Sequence, residues 1–381
     1  MLYFLSIKRI SGEKGMKTVK RTCIVFLLCF VILSAEIITA AAVTYKDKIA
    51  ELSRDINALV VYDITEGETL FAKNEKQKIS VASTTKLMTS LVALRYMSPD
   101  YVITVGDEIN MRKPNSSIAY IAKGHKLKLR TLIAALLLPS GNDAAYTVAV
   151  NVARHHSGNS SMSNADAVTY FCSLMNAYAK ELGCKNTSFV NPEGWDNENH
   201  YSTAEDMTLI ALEATKNVFI TSTAKIQKQR FTFYSGQWIE WENTNLLLDK
   251  ESAYYCEYAT GLKTGTTDSA GKCLVATAEK DGRKILVLAY GAKTETDRFQ
   301  RVKEIIELVL TSPSLPETVF GDVDSDGIVT ASDARFVLRA SVFLEKLTPE
   351  ILKLGDIDKS GALTANDARM ILRASVGLEQ L

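Results

Sequence analysis

The sequence is poor in the residues that build most metal, redox and disordered proteins. Four histidines, six cysteines and seven prolines occur in 381 residues. So few prolines, beside 46% hydrophobic residues, exclude a disordered or collagen-like chain. His125, His155, His156 and His200 form no His-Glu-x-x-His pair and are not spaced as zinc ligands. No Gly-x-Ser-x-Gly elbow is present, and the run from Gly265 to Gly271-Lys272-Cys273 is one residue too long for a P-loop and lacks its Ser/Thr. Net charge is absent too: 44 Lys and Arg balance 44 Asp and Glu, which gives no reason to expect a nucleic-acid partner. The length predicts two or three domains.

The neutral total is a cancellation. Residues 1–42 hold six bases and two acids, and residues 321–381 hold seven bases and ten acids. Lys17, Lys20 and Arg21 precede an apolar run from Cys23 to Ala35, ended by Glu36. Thirteen residues fall short of the roughly 20 that a spanning helix needs, so 1–42 is predicted to be a signal peptide, with Ala40-Ala41-Ala42 offering a cleavage site. Met16 would itself make a normal start. The expected location is secreted and extracellular, at the cell wall; an uncleaved leader would tether the chain to the membrane instead. Export permits disulfides, but the spacing of Cys172, Cys184, Cys256 and Cys273 suggests no framework, and most are expected to be free buried thiols.

Between these ends the pattern is mixed. Asn57–Tyr62 and Thr69–Ala72 read as strands, the stretch from about Ser83 to Thr215 as helical, and Arg230–Tyr234 and Trp238–Trp241 alternate again. Lys272–Glu279 and Lys284–Tyr290 flank Asp281-Gly282, a strong hairpin signal. Arg298–Leu310 reads as a helix. Strands at both ends with helices between predict an α+β fold: one antiparallel sheet flanked by helices, with an inserted helical subdomain. Residues 311–320 read as a linker.

Residues 321–342 and 355–376 are an internal repeat, GDVDSDGIVTASDARFVLRASV and GDIDKSGALTANDARMILRASV, identical at 14 of 22 positions. Oxygen donors at alternate positions, a glycine at position six and an acid at position twelve suit a calcium loop. The ligand sets are Asp322, Asp324, Asp326, the Ile328 carbonyl and Asp333, then Asp356, Asp358, Ser360, the Ala362 carbonyl and Asp367. Two loop–helix units without the usual leading helix, closed by Asp rather than Glu, resemble a type I dockerin over residues 321–381. That resemblance implies a small all-α module holding two structural Ca²⁺ ions and a cohesin domain on a scaffold protein as partner. Ala331-Ser332 and Ala365-Asn366 stand where that family meets its cohesin, and they depart from the Ser-Thr pair of the best-known dockerins.

Three short motifs carry the chemistry: Ser83-Thr84-Thr85-Lys86, Ser140-Gly141-Asn142 and Lys263-Thr264-Gly265. Spacing i to i+3 stacks a hydroxyl and an amine on one helix face, and a desolvated lysine can serve as a base. Taken singly, each is more simply a helix start, a turn with Asn142 or Asp143 as cap, and an edge-strand lysine. In this order, with Asn191-Pro192-x-Gly194 and Tyr201-Ser202-Thr203-Ala204-x-Asp206, they resemble the low-molecular-mass penicillin-binding D-alanyl-D-alanine carboxypeptidases. The resemblance covers about Thr44 to Leu310, so the expected catalytic domain is 43–310, of serine β-lactamase and penicillin-binding-protein type.

That family implies Ser83 as nucleophile, Lys86 as base and Ser140 as proton relay. It implies Asn142 for the substrate amide, Lys263 and Thr264 for the terminal carboxylate, Gly265 and Thr266 beside them as substrate-binding, and the backbone N–H groups of Ser83 and Thr266 as oxyanion hole. The substrate would be a peptidoglycan stem peptide ending in D-Ala-D-Ala, with β-lactam antibiotics as inhibitors and no catalytic cofactor. A β-lactamase is the nearest rival, because Glu193 and Asn197 match a Glu-x-x-x-Asn spacing; Glu193 fills the variable place of Asn-Pro-x-Gly, so this reads as coincidence. An inert penicillin-fold binding protein is the other.

Overall fold

The computed structural model describes residues 45–311, 320–324 and 328–381. The expected leader, most of the expected linker, and Asp326 and Gly327 of the first loop lie outside the described residues. The chain divides into two compact units at residues 315 and 316.

The larger unit is built on a five-stranded antiparallel sheet. Its strands are β1 (Ala58–Asp63), β2 (Glu68–Lys73), β7 (Ala259–Thr267), β8 (Gly271–Lys280) and β9 (Arg283–Ala292), in the order β2-β1-β9-β8-β7. N- and C-terminal strands thus share one sheet, as the alternation predicts. In a strand successive side chains take opposite faces, and here both faces are buried. Leu59, Val61, Leu274, Ala276, Val287 and Ala289 join one core with Ile49 of α1 (Tyr45–Leu52) and Phe299, Val302 and Ile305 of α8 (Glu295–Thr311). Val60, Val275, Leu286, Leu288 and Tyr290 join the other, beneath the helical region.

That region holds α2 (Lys86–Tyr96), α3 (Leu129–Leu137), α4 (Asn142–Ser157), α5 (Asn164–Glu181), α6 (Ala204–Lys216) and α7 (Val218–Ala224). Two expectations need correction. The stretch from Ser83 to Thr215 is not uniformly helical: β3 (Val102–Thr104) pairs with β4 (Lys126–Lys128). The next hairpin pairs β5 (Lys228–Thr232) with β6 (Trp238–Glu242), two residues earlier at its first strand than the alternation suggests. Phe233 N–H bonds the Gln237 carbonyl and so belongs to the turn. The four cysteines among the described residues are free thiols, Cys172, Cys256 and Cys273 buried and Cys184 half-buried.

The smaller unit carries α9 (Ala331–Ser341), α10 (Pro349–Gly355) and α11 (Ala365–Ser375) around Val323, Val337, Leu363 and Ile371. The short α10, started by Pro349 behind the capping Thr348, leads into the second loop, so that loop does have a helix before it.

The α8 face is the test of the outer core. Phe299 is fully buried and stacks on Tyr254 at 5.6 Å between centroids. Phe299→Ala is expected to cost about 3–5 kcal/mol in chemical denaturation of the larger unit.

Candidate active site

The Ser83 segment is a turn pressed from two sides. Ala82–Thr85 forms one turn of 3₁₀-helix and Lys86 opens α2, so the nucleophile candidate sits just before the α-helix rather than within it. Ala82 holds φ at +47°, a left-handed conformation that costs a non-glycine residue about 1–3 kcal/mol. Strand β7 passes so close that a Cβ on Gly265 would lie 2.9 Å from Ser83 N and 2.9 Å from Ala82 Cβ. On the other side a Cβ on Gly194 would come within 1.8 Å of the Ala82 carbonyl oxygen, and Gly194 has φ +91°. Only glycine fits at these two contacts.

Lys86 is fully buried and its Nζ makes three bonds: to Ser83 Oγ at 2.8 Å, Asn142 Oδ1 at 2.7 Å and the Glu193 carbonyl oxygen at 2.8 Å. Burial pulls its ammonium down to about 8, against the opposing pull of the Glu193 and Asp143 charges. Asn142 and the Glu193 carbonyl can only accept at those atoms. Once neutral, the amine keeps its two N–H bonds to them and turns its lone pair to Ser83, whose hydroxyl becomes the donor.

The second motif forms a strained corner. Ser140 has φ +61°, is 5% exposed, and its Oγ bonds no described residue. The α4 cap is Gly141, without a side-chain bond, so neither Asn142 nor Asp143 caps the helix. Asp143 instead accepts N–H bonds from Ala119 at 2.8 Å, Ile121 at 3.1 Å and Ala144 at 2.9 Å, fixing residues 119–121 beside the corner.

The third motif lies within β7, the edge strand of the sheet. Lys263 is fully buried, and its Nζ donates to the Thr264 carbonyl at 3.0 Å. Burial, then the Lys86 and Arg298 charges, lowers its ammonium well below the usual range. Thr264 Oγ1 shares a 2.5 Å bond with Thr244 Oγ1. Thr266 Oγ1 donates to the Gly265 carbonyl at 2.8 Å and accepts from Arg298 Nη1 at 3.0 Å.

Arg298 was not among the residues expected from sequence. It reaches β7 from α8, is 7% exposed, and also pairs with Glu295. A lone arginine at a helix start carries no motif; a charge inside the apolar stripe of α8 was the available signal. Asp196 was missed for the same reason: it accepts from Ser80 Oγ and Thr267 Oγ1, both at 2.7 Å, and ties the loop after Gly194 to the end of β7. Glu193 is buried and accepts from Tyr146 Oη at 3.1 Å, whereas Asn197 is exposed. The two do not share a site, so the Glu-x-x-x-Asn spacing is a coincidence of sequence.

In the smaller unit, carboxylates of Asp322, Asp324 and Asp333 lie within 4.8 Å of one another, and so do those of Asp356, Asp358 and Asp367. Asp333 also accepts from the Val323 and Asp324 N–H groups and closes a capping box with Thr330; Asp367 does the same with Ile357, Asp358 and Thr364. Position twelve therefore doubles as the third residue of its helix. Ser360 Oγ donates to the Ala362 carbonyl at 3.1 Å. Ile328 is exposed.

Gly265→Ala is the cleanest test of the pressed turn. A displacement of about 1 Å at a nucleophile costs about 100-fold. The variant is expected to take a fluorescent penicillin at least that much more slowly than the wild type, and to lose about 1–3 kcal/mol of stability to the overpacked contact while remaining folded.

Comparison with known proteins places these features in a family. Peptidase S11, D-alanyl-D-alanine carboxypeptidase, matches residues 46–294. DacF of Bacillus subtilis is 27% identical over 266 residues, covering 69% of this chain and 64% of the relative. DacA of Haemophilus influenzae is 32% identical over 297 residues, covering 76% of this chain and 70% of the relative. The chain spans less than two thirds of DacF, and likewise of Escherichia coli DacC, at 61%. Among solved structures, a Streptomyces DD-transpeptidase superposes with a TM-score of 0.61 at 29% identity, over 67% of this chain and 96% of that one. A Listeria monocytogenes penicillin-binding protein, in its ampicillin-bound form, gives 0.55 at 28%, over 67% and 97%. The larger unit has the penicillin-binding-protein fold, and the chain belongs to the D-alanyl-D-alanine carboxypeptidase family.

Proposed function

We propose that the larger unit is a serine-type carboxypeptidase that removes the terminal D-alanine from peptidoglycan stem peptides. The observation that carries this reading is the buried Lys86 amine, 2.8 Å from Ser83 Oγ and held by two fixed acceptors. Neutral Lys86 accepts the Ser83 proton as Oγ attacks the carbonyl of the penultimate D-alanine. The N–H groups of Ser83 and Thr266 receive the developing oxyanion. The C–N bond to the terminal residue then breaks, and Ser140, whose buried hydroxyl awaits a partner, passes the proton from Lys86 to the leaving amine. Asn142 holds the substrate amide. Lys263 and Thr264, with Gly265 beside them and Arg298 behind, receive the terminal carboxylate, so a free terminal anion is favoured. Water cleaves the Ser83 ester and restores the enzyme. A β-lactam would acylate the same oxygen.

Wild-type protein is expected to release D-alanine from a D-Ala-D-Ala peptide, and Ser83→Ala to release none and take no fluorescent penicillin. The base is neutral only above its own titration point, so acylation should rise with pH and level off above about 8. Fast penicillin turnover without D-alanine release would favour a β-lactamase, and no labelling an inert binder.

For the smaller unit we propose a calcium-folded dockerin that attaches an exported enzyme to a cohesin-bearing scaffold. Three carboxylates within 4.8 Å repel one another unless a cation joins them, and this occurs twice. Bound Ca²⁺ would supply that charge, held by Asp322, Asp324 and Asp333 with the Ile328 carbonyl, and by Asp356, Asp358 and Asp367 with Ser360 and the Ala362 carbonyl; Asp326 completes the first set by position. Exposed Leu338, Val342 and Phe343 after one loop, and Leu372 and Val376 after the other, offer apolar surface to a partner. Chelation of the full-length protein is expected to lower a thermal transition of the tail while D-alanine release persists. Superimposable melting curves with Ca²⁺ and with chelator would rule calcium out.

A further inference from the structure

The Glu193 carboxylate has no part in the chemistry described so far, yet the residue is among the most buried charged ones described, at 1% exposed. Its backbone carbonyl anchors Lys86 Nζ. Its carboxylate is bonded at one oxygen: Oε1 takes the Tyr146 hydroxyl at 3.1 Å, while Oε2, also buried, has no partner in bonding geometry among the described residues, with Asn142 beside it. An under-bonded buried carboxylate is costly to keep, and a neutral side chain of the same size would avoid that cost.

Resting on the carboxypeptidase reading, we infer that Glu193 is a positioning residue whose carboxylate is the counter-charge for the ammonium that Lys86 becomes when it takes the Ser83 proton. The acylation step moves one proton from Ser83 Oγ to Lys86 Nζ and creates a cation on a fully buried side chain. Lys263, on β7, is the other buried amine whose charge opposes that of Lys86. The acids facing Lys86 are Glu193, from the loop before Gly194, and Asp143, from α4. Asp143 is already held by three backbone N–H groups and faces Arg112. Glu193 is met by the Tyr146 hydroxyl and the Asn142 amide, with Lys86 and Lys113 as the cations that favour its charge. Its charge is the one least committed elsewhere. His200, also near Lys86, is held neutral by burial, down to about 4. Burial raises the Glu193 carboxyl while the Lys86 charge lowers it, so each group of the pair favours ionisation of the other.

The test compares pH profiles of acylation by a fluorescent penicillin. A negative charge raises the titration point of a neighbouring amine. Glu193→Gln should therefore move the rising limb about one pH unit toward acid and lower the plateau, because Lys86 becomes the weaker base. Glu193→Asp, which keeps the charge, should hold the limb near its wild-type position. If Glu193→Gln does not fold, the equal-sized pair Glu193→Asp and Glu193→Asn supplies the same contrast. An unmoved limb in the neutral variant overturns the inference, as does a variant that acylates normally but loses only hydrolysis of the adduct. Failure of the wild type to acylate at any pH would instead overturn the carboxypeptidase reading.

Discussion

A lysine ammonium with no access to water is the constraint from which the site follows. Desolvation of Lys86 costs several kcal/mol unless its protons are met, and three acceptors meet them: Ser83 Oγ, Asn142 Oδ1 and the Glu193 carbonyl. Two of these cannot reverse direction. The third can, and that asymmetry points the lone pair of the neutral amine at one hydroxyl. Burial performs two tasks at once, lowering the proton affinity of the amine and selecting the hydroxyl it faces.

Bringing those acceptors together fixes the surrounding backbone. The turn before α2, the corner before α4, the loop at Gly194 and the edge strand β7 must all converge, and they do so at contacts too close for a side chain. Left-handed Ala82 and Ser140 store strain at the two places where the Ser83 and Ser140 hydroxyls are presented. Asp143 and Asp196 tie the converging loops together through backbone and hydroxyl donors. The sheet, buried on both faces, resists the pull of these contacts because β8 and β9 are packed by two separate cores.

The sheet and the three motifs were legible because each has a local signature: alternation for strands, a fixed spacing for Ser83 and Lys86, a turn word at Asp281-Gly282. What escaped reading depends on residues far apart in the chain. Arg298 acts from a helix start more than thirty residues after the strand it serves. Asp143 looks like a helix cap until the backbone of residues 119–121 is beside it. Glu193 occupies a position whose motif leaves it open, so its spacing to Asn197 drew attention to the wrong partner. The short pair β3–β4 went unread because three residues give no periodicity. In the tail, the repeat was plain, but not that Asp333 and Asp367 each close a capping box as well as a loop.

The account stands or falls on which oxygen carries the acyl group. Peptide mapping by mass spectrometry, after brief reaction of the full-length protein with a β-lactam, reads this directly. The adduct is expected on the peptide containing Ser83, at one per chain, and absent from Lys86→Ala protein. An adduct on Ser140 or another residue, or undiminished acylation of Lys86→Ala, would contradict it.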